Sequence, residues 1–143
     1  MSKRYSVILT VSLMLEKDGK LLMMKRKNTG YMDNMYGFVG GHVEEGETLK
    51  DAMVRETKEE AGIYVDAKDL TFVCAVRGPQ ESNYINLFFR TEKYKGTPDI
   101  MEPQKCESLE WFDMDNIPEN TIEAEKRAIY NLKHNIVLDE YGF

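Results

Sequence analysis

The chain has 143 residues, with 19 Lys and Arg against 25 Asp and Glu for a formal net charge of −6, and its pI is near 5.0. That length suits one domain with a real core, while the acidic balance argues against an extended basic groove for nucleic acid, which would neutralise many phosphates with Lys and Arg. Cys74 and Cys106 show no metal-ligand spacing, so they read as buried free thiols in a reducing, cytoplasmic setting.

No linker-like stretch, low-complexity segment or internal repeat divides the sequence, which predicts a single domain over residues 1–143. Lys3 and Arg4 ahead of an apolar run over 7–15 imitate the start of a signal peptide. Glu16, Lys17, Asp18 and Gly19 then stand where a small-residue cleavage site should be, and the run is too short to span a membrane. The same residues read better as a buried first strand. Residues 5–16 and 20–27 form a predicted hairpin turning at Asp18 and Gly19. Asn28, Thr29 and Gly30 open a loop. A short strand from Met35 to Val39 leads into Gly40 and Gly41, whose lack of a side chain lets backbone approach a ligand closely.

After the loop Glu44–Glu47, a helix is predicted over about 48–61. Thr48 with Asp51 three residues on resembles a capping box, and Gly62 supplies a left-handed stop. Steps of 100° per residue place Leu49, Ala52 and Met53 in one sector and Glu56, Glu59 and Glu60 in the same sector two turns later, with Lys50, Asp51 and Lys58 opposite. An inward stripe that changes from apolar to acidic needs a reason. Two carboxylates about 6 Å apart at an effective dielectric near 20 repel by roughly 3 kcal/mol, and anions near a helix C-terminus oppose its dipole. A divalent cation reverses the sign of both effects.

Further strands are expected at Tyr64–Val65, Leu70–Arg77, Tyr84–Tyr94 and Leu109–Phe112, with a turn at Gly78 and Pro79. Pro118 precedes Asn120 and Glu123, a second capping-box pattern. Ile122, Ile129, Leu132 and Ile136 then supply a helical stripe. Hairpins mixed with two separated helices predict a mixed sheet covered on both faces.

Residues 41–63 resemble the signature of the Nudix hydrolases. Gly41, Glu47, Arg55, Glu56, Glu59, Glu60 and Gly62 occupy all of its fixed positions, and Ile63 is its final aliphatic residue. Thr57 departs from the pattern, standing where a bulky aliphatic residue is usual. The motif resemblance covers about 26–63. It implies an α/β fold of mixed α+β type, an α/β/α sandwich with a mixed β-sheet between helices. It also implies hydrolysis of a pyrophosphate bond in a nucleoside diphosphate linked to another group, with Mg²⁺ as cofactor and Mn²⁺ as a substitute. Hard cations of this kind take carboxylate, carbonyl and water oxygens.

For the metal, the resemblance points to Glu56, Glu59, Glu60 and the carbonyl of Gly40, with Glu102 favoured over Glu107 as a further acid. Among the catalytic set Glu56, Glu59, Glu60, Glu47 and Arg55, the last two read as a supporting ion pair. Glu56, Glu59, Glu44 and Glu47 all stay open as the general base. Arg26 is the candidate phosphate contact, Tyr36 and Phe38 are candidate stacking partners for a base, and Gly41 lies against the substrate. His42 reads as a loop residue rather than a ligand.

A (deoxy)nucleoside triphosphate is the preferred small-molecule substrate, as for MutT-like members of this size. An ADP-ribose or nucleotide-sugar pyrophosphatase is the alternative, supported by Pro79 sixteen residues beyond Ile63. A catalytically silent nucleotide-binding module is the reading of another class. Neither membrane nor nucleic acid is expected as a partner, and a homodimer is what the resemblance allows.

Overall fold

Strand β1 (Ile8–Lys17) turns back into β2 (Lys20–Arg26) through Asp18 and Gly19, at φ of 52° and 77°. Paired left-handed residues are what a two-residue hairpin requires. The computed structural model describes residues 4–143, so the charged start read at Lys3 lies outside the described residues. Next come β3 (Tyr36–Gly37), β4 (Val39–His42), α1 (Leu49–Ala61), β5 (Thr71–Gly78), β6 (Tyr84–Thr91), β7 (Cys106–Asp113), α2 (Glu123–His134) and β8 (Leu138–Glu140).

β1 pairs parallel with β6 and antiparallel with β4, while β5 pairs antiparallel with β6 and parallel with β8. β2 carries β3 and β7 as antiparallel neighbours. Among the described residues, the two sections pair only at the hairpin, where Glu16 faces Leu21 and Lys17 faces Lys20.

Side-chain alternation explains why β1 and β2 read as nearly continuous apolar runs. Val11, Leu13, Leu15, Leu22 and Met24 pack on one side with Ala52, Met53 and Ala61 of α1. Met14, Leu21 and Met23 pack on the other with Ala124, Ala128 and Ile129 of α2. The architecture is therefore the expected mixed sheet between helices.

Helix α1 starts and stops as its sequence predicts. The Thr48 side chain accepts from the N–H of Asp51 at 3.1 Å, and Gly62 caps the far end at φ 68°. Its buried stripe differs from expectation. Ala52, Met53, Thr57 and Ala61 are the buried residues, whereas Leu49 is 36% exposed. The apolar side thus continues to the helix end through Thr57, whose hydroxyl is satisfied by the carbonyl of Met53 at 2.7 Å. Glu56 and Glu60 flank that stripe instead of replacing it.

Four other expectations change. The strand read over 35–39 is broken at Phe38, because Tyr36 and Gly37 pair with β2 while Val39 onward pairs with β1. Tyr64 makes one isolated bridge, to Lys95. Asn120 does not cap α2; the cap position is Ile122, without a side-chain bond, and the Asn120 amide donates to the carbonyl of Asn34 instead. Strand β8 was not expected, since three exposed or half-buried residues carry no alternation to read.

Candidate active site

The acid cluster is organised by one cation. The Arg55 guanidinium donates through Nε to Glu47 Oε2 at 2.7 Å and through Nη2 to Glu47 Oε1 at 2.9 Å, a bidentate fork. It also donates to the carbonyl of His42 at 3.0 Å, to Glu56 at 2.8 Å and to Glu59 at 3.2 Å. Glu47 accepts in addition from the N–H of Glu44 at 2.9 Å. The Arg55 guanidinium and that N–H hold the Glu47 carboxyl down at about 2, so it stays ionised and is a weak base.

Glu60 has no such partner among the described residues. Its Oε1 accepts from the backbone N–H of Gly40 at 2.7 Å, and burial, joined by the charges of Glu56 and Glu102, pushes its carboxyl up to about 8. Burial also raises Glu56, against the opposing pull of Arg55. Glu59 sits at the rim with its side chain 55% exposed, against 14% for Glu56.

Glycines make the room. A Cβ on Gly41 would lie 2.4 Å from the Glu56 carboxyl carbon, and one on Gly40 would lie 2.2 Å from the carbonyl oxygen of Val11. A side chain at either position would displace an acid or the β1–β4 pairing. A cleft of about 820 Å³ opens beside them, lined at this end by Gly40, Gly41, Glu56, Glu59, Glu60 and Glu102.

Among the described residues, no three of His, Cys, Asp or Glu are grouped closely enough to hold a metal ion. The donor set nevertheless fits a hard divalent cation. Glu60 and Glu56 are both raised by burial, and the charge of Glu56 adds to the rise at Glu60, while Mg²⁺ takes one or two carboxylates with waters and phosphates completing its octahedron.

The remaining candidates divide. Glu102 lines the cleft, whereas Glu107 pairs with Lys25 at 3.0 Å. Arg26 lines it too, held by the carbonyl of Tyr31 at 2.9 Å and the hydroxyl of Thr29 at 3.2 Å. Phe38 reaches the cleft wall while packing edge-on against Phe88. Tyr36 does not reach it. Its ring packs edge-on against Phe112 at 5.1 Å, with the hydroxyl 3.4 Å from Glu110, so the expected stacking position is corrected to a packing one. Arg55 and Glu47 stand behind the cleft-facing acids and position them, and His42 is exposed at the cleft's edge.

The sequence reading missed the inner end of the cleft. Ser12, Tyr84, Asn86, Ile122 and Glu125 line it, drawn from β1, β6 and α2, and nothing in their local spacing brings them together.

Comparison with known proteins accords with this geometry. The NUDIX domain family matches residues 7–132. An ADP-ribose pyrophosphatase of Methanocaldococcus jannaschii is 33% identical over 130 residues, covering 87% of this chain and 75% of that protein. An oxidized purine nucleoside triphosphate hydrolase of Danio rerio is 33% identical over 117 residues, covering 79% and 70%. Among solved structures, a MutT Nudix hydrolase from Burkholderia pseudomallei superposes with a TM-score of 0.83 at 25% identity, covering 90% of this chain and 99% of that one. The chain belongs to the Nudix hydrolase family, whose members cleave pyrophosphate bonds and generally use divalent metal ions.

Proposed function

We propose that this chain is a Mg²⁺-dependent pyrophosphohydrolase of small nucleotides, acting as one domain over residues 1–143 in the cytoplasm, with (deoxy)nucleoside triphosphates as preferred substrates. The observation that carries this reading is the opposition, within one cleft, of the Glu56, Glu60 and Glu102 carboxyls to the Arg26 guanidinium. Arg26 offers the substrate phosphates a cation whose Nη1 makes no hydrogen bond among the described residues. Glu56 and Glu60 would hold the metal, with the Gly40 carbonyl, Glu59 and Glu102 as further oxygen donors. A bound divalent cation polarises phosphoryl oxygens and acidifies water.

Proton removal needs a carboxylate with basicity to spare. Glu47, committed to Arg55, is the weakest choice, which leaves Glu59 at the rim, Glu56 and Glu44. Water exclusion falls to the loop over residues 28–34, where Asp33 accepts from the Thr29 and Gly30 N–H groups at 3.0 Å each and keeps Tyr31 beside the cleft.

A second reading, ADP-ribose hydrolysis, is favoured by Pro79 and by the archaeal relative's name. The test is release of phosphate, pyrophosphate or nucleoside monophosphate from a panel of triphosphates, ADP-ribose and nucleotide sugars, with Mg²⁺, with Mn²⁺ and with chelator. Metal-dependent turnover highest on triphosphates is expected. A large ADP-ribose preference selects the second reading, and no release from any compound removes both.

A further inference from the structure

The site holds two arginines with opposite surroundings. Arg55 is bonded directly to the carboxylates of Glu47, Glu56 and Glu59. Arg26 lines the cleft, and among the described residues its guanidinium bonds only to neutral oxygens. It is nevertheless held on three sides. Nε donates to the carbonyl of Tyr31 at 2.9 Å, Nη2 donates to the hydroxyl of Thr29 at 3.2 Å, and the group lies over the Tyr31 ring, 5.5 Å from its centre.

The loop over residues 28–34 is built around those contacts. It closes on the backbone of Arg26 itself, whose N–H donates to the carbonyl of Met35 at 3.0 Å and whose carbonyl accepts from the N–H of Asn34 at 2.8 Å. Asn28, Gly30, Met32 and Asn34 alternate along it at positive φ, from 51° to 79°. Residues with a side chain hold that conformation only where other bonds fix it. Asp33 supplies them, accepting from the N–H groups of Thr29 and Gly30 at 3.0 Å each and from the Thr29 hydroxyl at 2.6 Å.

A hydroxyl has one proton and two acceptor lone pairs, and at Thr29 all three are assigned. The oxygen accepts from Arg26 Nη2 and from the N–H of Tyr31 at 3.1 Å. Two acceptors compete for the proton, the Tyr31 carbonyl at 2.9 Å and Asp33 Oδ1 at 2.6 Å. That carbonyl already takes the Arg26 Nε proton, and a bond to a carboxylate is the shorter and stronger kind, so the hydroxyl donates to Asp33. The Thr29 hydroxyl and N–H in turn hold the Asp33 carboxyl below its ordinary value, with the Arg26 charge the smallest contributor.

A carboxylate touching Arg26 would hold it and also cancel the charge that an incoming phosphate needs. Set one hydroxyl away, Asp33 fixes the orientation and leaves the charge available. We propose that Asp33 is a positioning residue that acts through the Thr29 hydroxyl to fix the Arg26 guanidinium, leaving Nη1 free for the phosphate chain of the substrate. This rests on the reading above that the phosphates meet Arg26. Orientation set before the ligand arrives spares binding the cost of ordering a long side chain.

The probe is imidodiphosphate with saturating Mg²⁺, a nitrogen-bridged analogue of the pyrophosphate group that every candidate substrate shares. Its dissociation constant is measured by calorimetry for wild type, Arg26→Ala, Thr29→Val, Thr29→Ser and Asp33→Ala. Thr29→Val and Asp33→Ala are each measured again in the Arg26→Ala background, every variant first checked for a cooperative melt. Thr29→Val deletes the hydroxyl and keeps both backbone N–H bonds to Asp33, so it tests the connection apart from the loop. Affinity should fall at least about tenfold in Arg26→Ala and about fivefold in Thr29→Val and Asp33→Ala. Thr29→Ser, which keeps the hydroxyl, should stay within about twofold of wild type. In the Arg26→Ala background the other two changes should cost less than about twofold more, because groups that act through one another are not additive. If Asp33→Ala fails to fold, the two Thr29 variants and their cycle decide.

Thr29→Val that binds as wild type while Arg26→Ala does not would overturn the proposal and leave the phosphate contact standing. So would a Thr29→Val loss that persists in full without Arg26, or Thr29→Ser as weak as Thr29→Val. No binding of imidodiphosphate by wild type, or undiminished binding by Arg26→Ala, would remove the phosphate contact and the proposal together. Protein that hydrolyses no nucleotide yet shows the coupling would sink the hydrolase reading and support the positioning role.

Discussion

The backbone N–H of Gly40 donates to Oε1 of Glu60 across 2.7 Å, joining β4 to the last turn of α1 at a point where the carboxyl has no cationic partner. One neutral donor offsets only part of the cost of burying a charge, which is why this carboxyl lies at about 8. Replacing Glu60 with Gln keeps the shape and removes the charge. Turnover should fall by at least two orders of magnitude, while the metal-free melting temperature at pH 8 stays level or rises. Steady-state rates and thermal melts on the same preparation check both halves.

The unpartnered carboxyls also predict how stability depends on pH. Glu60 and Glu125 both lie at about 8 in the fold against an ordinary 4.5. Between those values the folded chain holds protons that the unfolded chain has released, so stability is greatest below about 4.5 and declines as pH rises toward about 8. Glu47, held at about 2, acts in the opposite direction but only below its ordinary value of 4.5. Metal-free protein should therefore melt lower at pH 8.5 than at pH 6. Glu125→Gln should shrink that difference, and added Mg²⁺ should raise the melting temperature more at pH 8.5. A flat profile in chelator would contradict the assignment.

Arg55 gathers five acceptor oxygens through a planar fork, which a lysine cannot reproduce. Arg55→Lys should lower kcat by about 10- to 100-fold, the usual cost of disturbing groups that orient metal ligands. KM should stay within about threefold, since Arg55 does not line the cleft. A change confined to KM would mean that Arg55 touches substrate.

Gly41→Ala places a methyl 2.4 Å from the Glu56 carboxyl carbon. Glu56 must swing away, and the Mg²⁺ concentration for half-maximal rate should rise about tenfold, as read from metal titrations of the rate.

Tyr36→Phe should leave kcat/KM within about twofold, because the ring packs on Phe112 and the 3.4 Å contact to Glu110 is a weak hydrogen bond. Kinetics on the preferred nucleotide suffice to check it.

What the sequence revealed and what it hid follow from range. Thr48, Gly62 and the Asp18–Gly19 turn act through neighbours within a few residues, so their roles were legible. The acid signature was legible because its spacing is fixed by one loop and one helix. The buried side of α1 was misread where the stripe of Leu49, Ala52 and Met53 was carried on into Glu56, Glu59 and Glu60; the buried residues continue instead through Thr57 and Ala61, with the Thr57 hydroxyl bonded back to the carbonyl of Met53. Tyr36 and Phe38 are two apart on a strand reading and so should share a face. The break between β3 and β4 separates them, sending one to Phe112 and the other to the cleft. Glu125 was hidden among Glu119 and Glu123 in what reads as a solvated helix start. Only the return of α2 over Gly37, 88 residues earlier, buries it.

The most direct measurement is a crystal structure with Mg²⁺ and a non-hydrolysable nucleotide. The account predicts octahedral density bridging the carboxylates of Glu56 and Glu60 to a substrate phosphate, with Arg26 on the phosphate chain. Glu56 and Glu60 turned toward bulk water, with the phosphates bound elsewhere, would contradict it.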